Sequence, residues 1–281
     1  MGSGNLGGVR RRRRMSLHSA GSAVLIVFGE LAPAAAVSTA TLVDALTTVG
    51  HEPHAARQAL VRGRRAGWLE VDHGARTARW SLSDEGRRVV DDGIRRVEAL
   101  ATESTEWDRR WLVLLVSVPQ PLRSVRPRLY RALCWAGFGS PAPGVWVSPR
   151  PDHEAAAGRA VDRLGLGATT MSFVGSAAGV GLSDEEIVER AWSLDEVDRR
   201  YGALVADFAA RSPADGPAAL RDLLALDQEL QALPAVDPQL PASLTGPRSA
   251  RESAAELLAV RQAWRSPALA YWRALDHADG T

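Results

Sequence analysis

Lysine is absent from this 281-residue chain, so all 34 of its Lys/Arg positions are arginine. Arginine stays charged and presents a planar fork of donors, so every cationic contact is of the guanidinium kind and lysine chemistry such as a Schiff base is excluded. Cysteine occurs once, as Cys134 among apolar neighbours. A single thiol forms no internal disulfide, reads as core, and suits a reducing cytoplasm. The 6 histidines are scattered without metal-ligand spacing. His51 and His54 flank Pro53 but lack an acid or thiol at useful spacing, and read as turn and surface positions. Gly-x-Ser-x-Gly does not occur, and the glycines between 175 and 181 lack the strand–GxGxxG–helix setting and the lysine of a phosphate loop. Asp91, Asp92, Asp184, Glu185 and Glu186 fall in helical stretches where solvation accounts for them. No apolar run approaches the ~20 residues of a membrane span. The reading is a non-enzymatic protein with no metal, no cofactor and no membrane partner.

What is present is charge, unevenly spread. The formal net charge is +1, yet residues 1–90 hold 13 arginines against 7 acids, while the remainder holds 21 against 26. A basic first third on a mildly acidic chain points to an anionic partner for that part. Residues 1–16 are rich in Gly, Ser and Arg and read as a disordered tail. Its arginines at 10–14 either grip phosphates or are simply solvated, and Met15 offers an alternative start. These arginines, the apolar residues 23–28 and the small residues 32–36 together outline a signal peptide. Against that, the apolar centre is short and runs straight into Gly29 and Glu30, and the chain needs the segment as its first helix.

Residues 22–31 predict a short apolar helix and 39–49 a second, with Leu42, Val43 and Leu46 spaced for burial. Gly50 breaks the second helix, and Pro53 suits the first position of a third. On a wheel at ~100° per residue, residues 54–66 gather Ala55, Ala56, Ala59, Gly63 and Ala66 on one face. His54, Arg57, Gln58, Arg62 and Arg65 gather opposite. The small face permits close packing; Arg and Gln are the side chains that fork onto guanine and adenine edges. A mid-helix glycine costs roughly 1 kcal/mol, so Gly63 predicts a looser helix. Residues 67–71 and 78–82 read as strands about a turn, with Arg76 and Arg79 at or near its tip. Helix, helix, turn, basic helix and hairpin make a winged helix-turn-helix over residues 17–88. Its expected partner is double-stranded DNA; the alternative is a protein-binding adaptor on the same scaffold. Ser83 caps a further helix, which links the next domain over residues 89–106 and runs to about Glu103.

Residues 111–118, closed by Pro119, predict a buried strand. A helix over 125–135, a Gly/Pro-rich corner over 137–144 and a strand over 145–147 follow, then a helix over 153–164 and a strand over 168–174. This reads as a ferredoxin-like central domain over 107–181. Residues 182–281 read as a helical domain, with helices from the Ser183 cap, over 195–210, near 217–233 and over 252–277. The expected class is α+β and multidomain.

The central stretch also carries a likeness. Trp107, Asp108, Trp111, Leu114, Leu115, residues 117–119, Leu133, Trp135, residues 137–139, Pro143, Gly144, Trp146, Ser148 and Pro149 form a pattern that resembles the phenylacetate-catabolon repressor family, the PaaX-like transcriptional regulators. Arg57, Ala59, Leu60, Arg62, Gly67, Trp68 and Leu69 match that family's third helix, and Val188, Arg190, Ala191, Trp192, Leu194 and Tyr201 match a later stretch. Where the family often has a His-x-Tyr-Arg type stretch, this chain has Asp227, Gln228, Glu229 and Leu230. The resemblance implies a bacterial repressor of an aromatic-acid catabolic operon. It would bind operator DNA as a homodimer and be relieved by phenylacetyl-coenzyme A or a related aryl-acyl thioester. Trp192, Tyr201 and Trp272 are candidates for that effector's pocket, or are core. The family's middle domain is similar to the small ferredoxin-like subunit of the CRISPR integration machinery. Some of those relatives carry an acid at the end of the first strand; residues 116–119 here have none. The likeness therefore implies a structural domain, with a metal-dependent nuclease as the rival.

Overall fold

The computed structural model describes residues 20–72, 77–102, 106–177, 179–212, 216–246 and 248–278. In chain order its elements are α1 (Ala20–Leu31), β1 (Val37–Ser38), α2 (Thr39–Thr48), α3 (Pro53–Arg65), β2 (Leu69–Asp72), β3 (Arg79–Leu82) and α4 (Asp84–Ala99). There follow β4 (Trp111–Val116), α5 (Arg126–Trp135), β5 (Gly139–Ala142), β6 (Val145–Ser148), α6 (Glu154–Arg163) and β7 (Thr170–Gly175). The last are α7 (Asp184–Ala191), α8 (Leu194–Phe208), α9 (Gly216–Ala232), α10 (Ala242–Thr245) and α11 (Ser249–Ala278). The chain is thus mixed α+β. It divides into two compact units: the chain to Val97 with Phe208–Ala232 and the chain from Leu258, and Glu98–Asp207 with Leu233–Leu257. The stretch beyond residue 181, one helical region by sequence, is shared between them.

The first unit is built on α1. Nine of its 12 residues are buried, Glu30 among them, because α2, α3 and α9 all pack on it. A helix that is apolar nearly all round must be enclosed in this way. The apolar centre of the segment that outlines a signal peptide, residues 23–28, therefore lies within a buried helix of the unit; its arginines at 10–14 lie outside the described residues. Leu42 and Leu46 of α2, Leu60 of α3 and Leu220 and Leu223 of α9 are fully buried beside it, each worth about 1.5–3 kcal/mol. Ser38 caps α2, its Oγ accepting from Thr41 N at 3.0 Å. The strands form an antiparallel sheet in the order β1-β3-β2. β1 was not expected: two residues are too short for a periodic signal, and it exists because Val37 pairs with Trp80 and Ser38 with Arg79. Ser83 caps α4, its Oγ accepting from Gly86 N at 3.0 Å. α4 stops at Ala99, short of the expected Glu103, which lies outside the described residues.

Three segments of this unit meet at a buried ionic cluster. Glu30 of α1 and Asp227 of α9 are 5% and 2% exposed. Arg261 of α11 reaches both: its Nε donates to Asp227 Oδ1 at 2.6 Å, and its Nη2 donates to Glu30 Oε1. Arg265 adds a longer contact to Glu30, 3.7 Å. Burial, and then the negative charge of Glu30, pushes the Asp227 carboxyl up to about 7 against the pull of Arg261. Trp264, Ala268 and Trp272 pack along the same helix, which passes Pro267 without ending.

The second unit is a four-stranded antiparallel sheet in the order β5-β6-β4-β7. Leu112, Leu114 and Val116 of β4 face α5 and α6, meeting Leu129, Leu133, Phe138, Ala157 and Val161. Trp111 points to the opposite face, into a second cluster with Val147, Val188, Leu240 and Leu244. β4 ends at Val116 rather than Val118, and a 3-10 turn over Gln120–Val125 leads into α5. The expected corner over 137–144 holds the strand β5, whose residues Gly-Ser-Pro-Ala carry no strand propensity. It pairs irregularly with β6 at the sheet edge, where a proline is tolerated. Asp184, read from sequence as solvated, is 12% exposed at its side chain and accepts Trp111 Nε1–H at 2.8 Å.

Three outcomes follow from this packing. Arg261→Met strands two buried carboxylates and should cost about 3–5 kcal/mol of stability in chemical denaturation. An unfolded Asp227 releases its proton near 3.8 while the folded one holds it to about 7. Its contribution to stability is therefore greatest below pH ~4 and falls as pH rises toward ~7; Asp227→Asn should flatten that dependence. A Cβ on Gly86 would lie 2.0 Å from the Trp68 carbonyl oxygen. Gly86→Ala should lower the melting temperature although alanine is the better helix former.

Candidate nucleic-acid interface

Helix α3 is fixed at both ends by its own sequence. Pro53 opens it, and Gly67 closes it at φ +79°. Trp68 N–H returns to Gly63 O at 2.9 Å and Gly67 N–H to Arg64 O at 3.0 Å, the paired bonds of a Schellman stop. The buried face is Ala56, Ala59, Leu60 and Gly63. Two residues the wheel placed there differ: Ala55 is half-buried, and Ala66 is the exposed cap beyond the last turn. Gly63 is also not a loose point. A Cβ there would stand 2.7 Å from Leu69 Cδ1, so the missing side chain lets β2 seat Leu69 on the helix.

The opposite face is exposed throughout: His54, Arg57, Gln58, Arg62 and Arg65 all lie in solvent. The Gln58 amide nitrogen sits 2.9 Å from His54 Nε2, and Arg62 Nη1 donates to Gln58 Oε1 at 3.3 Å. This ladder holds three polar side chains upright along one line. The helix contains no acid, and Arg57 and Arg65 make no ion pair or hydrogen bond with other described residues. Two residues of this face escaped the sequence reading. Arg64 is exposed, and Val61, 45% exposed, sits at its centre. The same wheel places Val61 there; its apolar character hid it, although an apolar group among forked donors suits a thymine methyl.

The strand pair beyond α3 differs from expectation. Arg76 lies outside the described residues. Arg79 is half-buried, and its Nη2 donates to Ala36 O. The pairing of β1 with β3 brings that carbonyl alongside, so Arg79 anchors the loop before β1. Trp80 Nε1 donates to Thr39 Oγ1 at 2.9 Å, tying β3 to the start of α2.

The three aromatic residues considered for an effector are divided between the two units. Trp272 belongs to the first unit, Trp192 and Tyr201 to the second. Trp272 is 4% exposed. Trp192 is half-buried and stacks on Trp111 at 6.2 Å between ring centroids. Tyr201 is fully buried and donates to Asp237 Oδ2 at 2.8 Å; burial and the Asp237 charge raise its pKa beyond the usual phenol range. The second unit holds a cleft of about 570 Å³ walled by Leu100, Trp107, Arg150, Gln239, Leu240 and Arg251. Asp237 belongs to its wall as well, so Tyr201 stands behind the cleft and braces it. Among the described residues no three His, Cys, Asp or Glu side chains gather closely enough to share a metal ion. No described helix is long and apolar enough to cross a membrane.

Comparison with known proteins agrees with this layout. The chain is 29% identical over 178 residues to the transcriptional repressor PaaX of Escherichia coli strain K12, an alignment covering 62% of this chain and 54% of the repressor. The chain thus matches about half the length of that relative. A solved structure, the uncharacterized protein Rv0674 from Mycobacterium tuberculosis, superposes with a TM-score of 0.56 at 22% identity, over 92% of this chain and 99% of that one; it shares the fold. A family model described as PaaX-like protein matches residues 19–86. A second, described as the PaaX protein central Cas2-like domain, matches residues 104–188. The two matches take in both α3 and the four-stranded sheet, and the chain belongs to the PaaX-like protein family.

Proposed function

We propose that this protein is a bacterial transcriptional repressor that reads operator DNA with α3. The observation that carries the reading is the exposed, acid-free face of that helix, with His54, Gln58 and Arg62 in line, Arg57 beside them and no internal acid to neutralise them. α2 and α3 then act as the helix pair of a winged helix-turn-helix, and β2 and β3 as its wing. The sheet order β5-β6-β4-β7 with α5 and α6 on one face supports a ferredoxin-like reading of the central domain. A homodimer reading two half-sites gains affinity and specificity together. The relative that is named a transcriptional repressor supports the sign of regulation. Release follows when an aryl-acyl coenzyme A thioester, as in phenylacetate catabolism, binds the non-reading conformation more tightly. The cleft at Trp107 and Arg251 is a better place for it than the half-buried Trp192 or the buried Tyr201 and Trp272. This function needs no catalytic group.

Binding curves on the chain's own promoter region and on a scrambled duplex test the reading. Arg57→Ala should lower operator affinity roughly ten- to hundredfold, the about 1–3 kcal/mol of a lost bidentate contact, and leave the scrambled duplex nearly unchanged. Equal loss on both would remove α3 as the reader. Phenylacetyl-coenzyme A, and not phenylacetate, should weaken operator binding; titration calorimetry showing no heat with any thioester in a panel would discard the effector. Sedimentation should give a dimer, with a monomer at tens of micromolar counting against half-site pairing.

A further inference from the structure

Several exposed arginines among the described residues are neutralised within their own helix. On α4 they are paired with acids one turn away: Arg87 with Asp84 at 2.8 Å and Arg88 with Glu85 at 2.9 Å, with Arg95 bonded to Asp92. On α8, Arg199 pairs with Glu196 at 2.6 Å. This is the usual way a solvated helix face neutralises itself. Two helices hold several arginines and no acid at all. One is α3. The other is α5, Arg-Pro-Arg-Leu-Tyr-Arg-Ala-Leu-Cys-Trp, which like α3 carries several arginines and no acid. Arg126, Arg128 and Arg131 are exposed, as is Arg123 on the 3-10 turn before it. None of the four side chains makes an ion pair or hydrogen bond with another described residue.

Aromatic surface lies among these cations. Tyr130 is 50% exposed and Trp135 45%. Tyr130 rests edge-on against Trp146 of β6 at 5.4 Å, which holds its ring in place at the surface. The helix cannot roll these groups inward, because Leu129 and Leu133 lock its other side into the sheet. The neighbouring α6 carries Glu154 and Asp162 as well as Arg159 and Arg163, so its own sequence has no net charge, whereas α5 and the turn before it hold arginines and no acid. Four unpaired guanidinium groups with half-exposed rings form a surface for a phosphate backbone: the cations release condensed counterions, and the rings cover sugar edges.

We infer that α5 is a second nucleic-acid contact, a sequence-independent grip on the duplex backbone that complements base reading by α3. This rests on the DNA-binding reading above but concerns the other unit and another set of residues. It assigns the central domain a direct share in affinity.

The test uses the full chain, with fluorescence anisotropy on labelled operator and scrambled duplexes of equal length between about 50 and about 200 mM salt. The triple variant Arg126→Gln, Arg128→Gln, Arg131→Gln should shallow the slope of log affinity against log salt by about two to three units and weaken both duplexes by one common factor. The matching triple Arg→Lys variant should restore the slope, which separates loss of charge from loss of fold. An unchanged slope in the Gln variant overturns the inference and leaves α5 to solvent or to an acidic protein. A wild-type chain that prefers neither duplex would overturn the operator reading alone, since the slope on scrambled DNA still decides the role of α5. A wild-type chain that binds no duplex overturns both.

Discussion

Two carboxylates buried in one place set the terms for the first unit. Glu30 and Asp227 come from opposite parts of the chain, and neither can be left charged in an apolar core without a partner. The planar fork of Arg261 answers both at once, Nε to one and Nη2 to the other. The contact between Glu30 and Arg261 spans 231 residues of sequence. It fixes α1, α9 and α11 in one register, and apolar packing alone, which is not directional, would not choose that register. Such buried ionic groups add little net stability over apolar replacements; what they contribute here is a unique arrangement of otherwise greasy helices.

The second unit uses the same device in a milder form. The Trp111 indole N–H seeks Asp184, the Tyr201 hydroxyl seeks Asp237, and Arg248 meets Asp198 at 2.6 Å. Each pair joins an apolar or cationic group on one element to an acid on another. Trp111 sits where the outer faces of β4 and β6 meet α7 and α10. Its ring supplies apolar area and its N–H supplies direction, as buried tryptophans with one polar handle do. The cleft wall at Asp237 inherits its rigidity from Tyr201, and Gln239 is held in the left-handed region at φ +47° by its N–H bond to Asp237 Oδ1 at 2.8 Å.

Function, on this account, follows from where the chain declines to neutralise itself. With arginine as its sole strong cation, the chain either pairs a guanidinium with an acid one turn away, as on α4 and α8, or withholds the acid, as on α3 and α5. The withheld acids are a sequence property. Their effect depends on exposure, because an arginine in a buried pair, such as Arg261, is unavailable to a phosphate however basic its neighbourhood.

Local signals were therefore legible and long-range ones were not. The Pro53 start and the capping by Ser83 and Ser183 depend on neighbours within a few residues, and the starts of α3, α4 and α7 followed from them. So did the exposed face of α3 and the buried strand β4, whose patterns repeat with the period of the element that carries them. The short strands β1 and β5 did not, since two residues or a Gly-Ser-Pro-Ala run become a strand only when a partner strand supplies hydrogen bonds. Gly63 read as a weakness until Leu69 was seen to occupy its missing side chain, and Arg79 read as a free cation until the Ala36 carbonyl came alongside it. Asp184 read as an ordinary solvated acid, and Asp227 only as a departure from the family's pattern. Their partners lie 73 and 34 residues away, a distance over which sequence carries no pattern. By itself the sequence determined which residues form helices and which face of α3 is charged, because these are set by backbone propensity and short-range spacing. Only the tertiary structure decided which acids are buried and which cations remain free, because burial belongs to the packed chain and not to any residue in it.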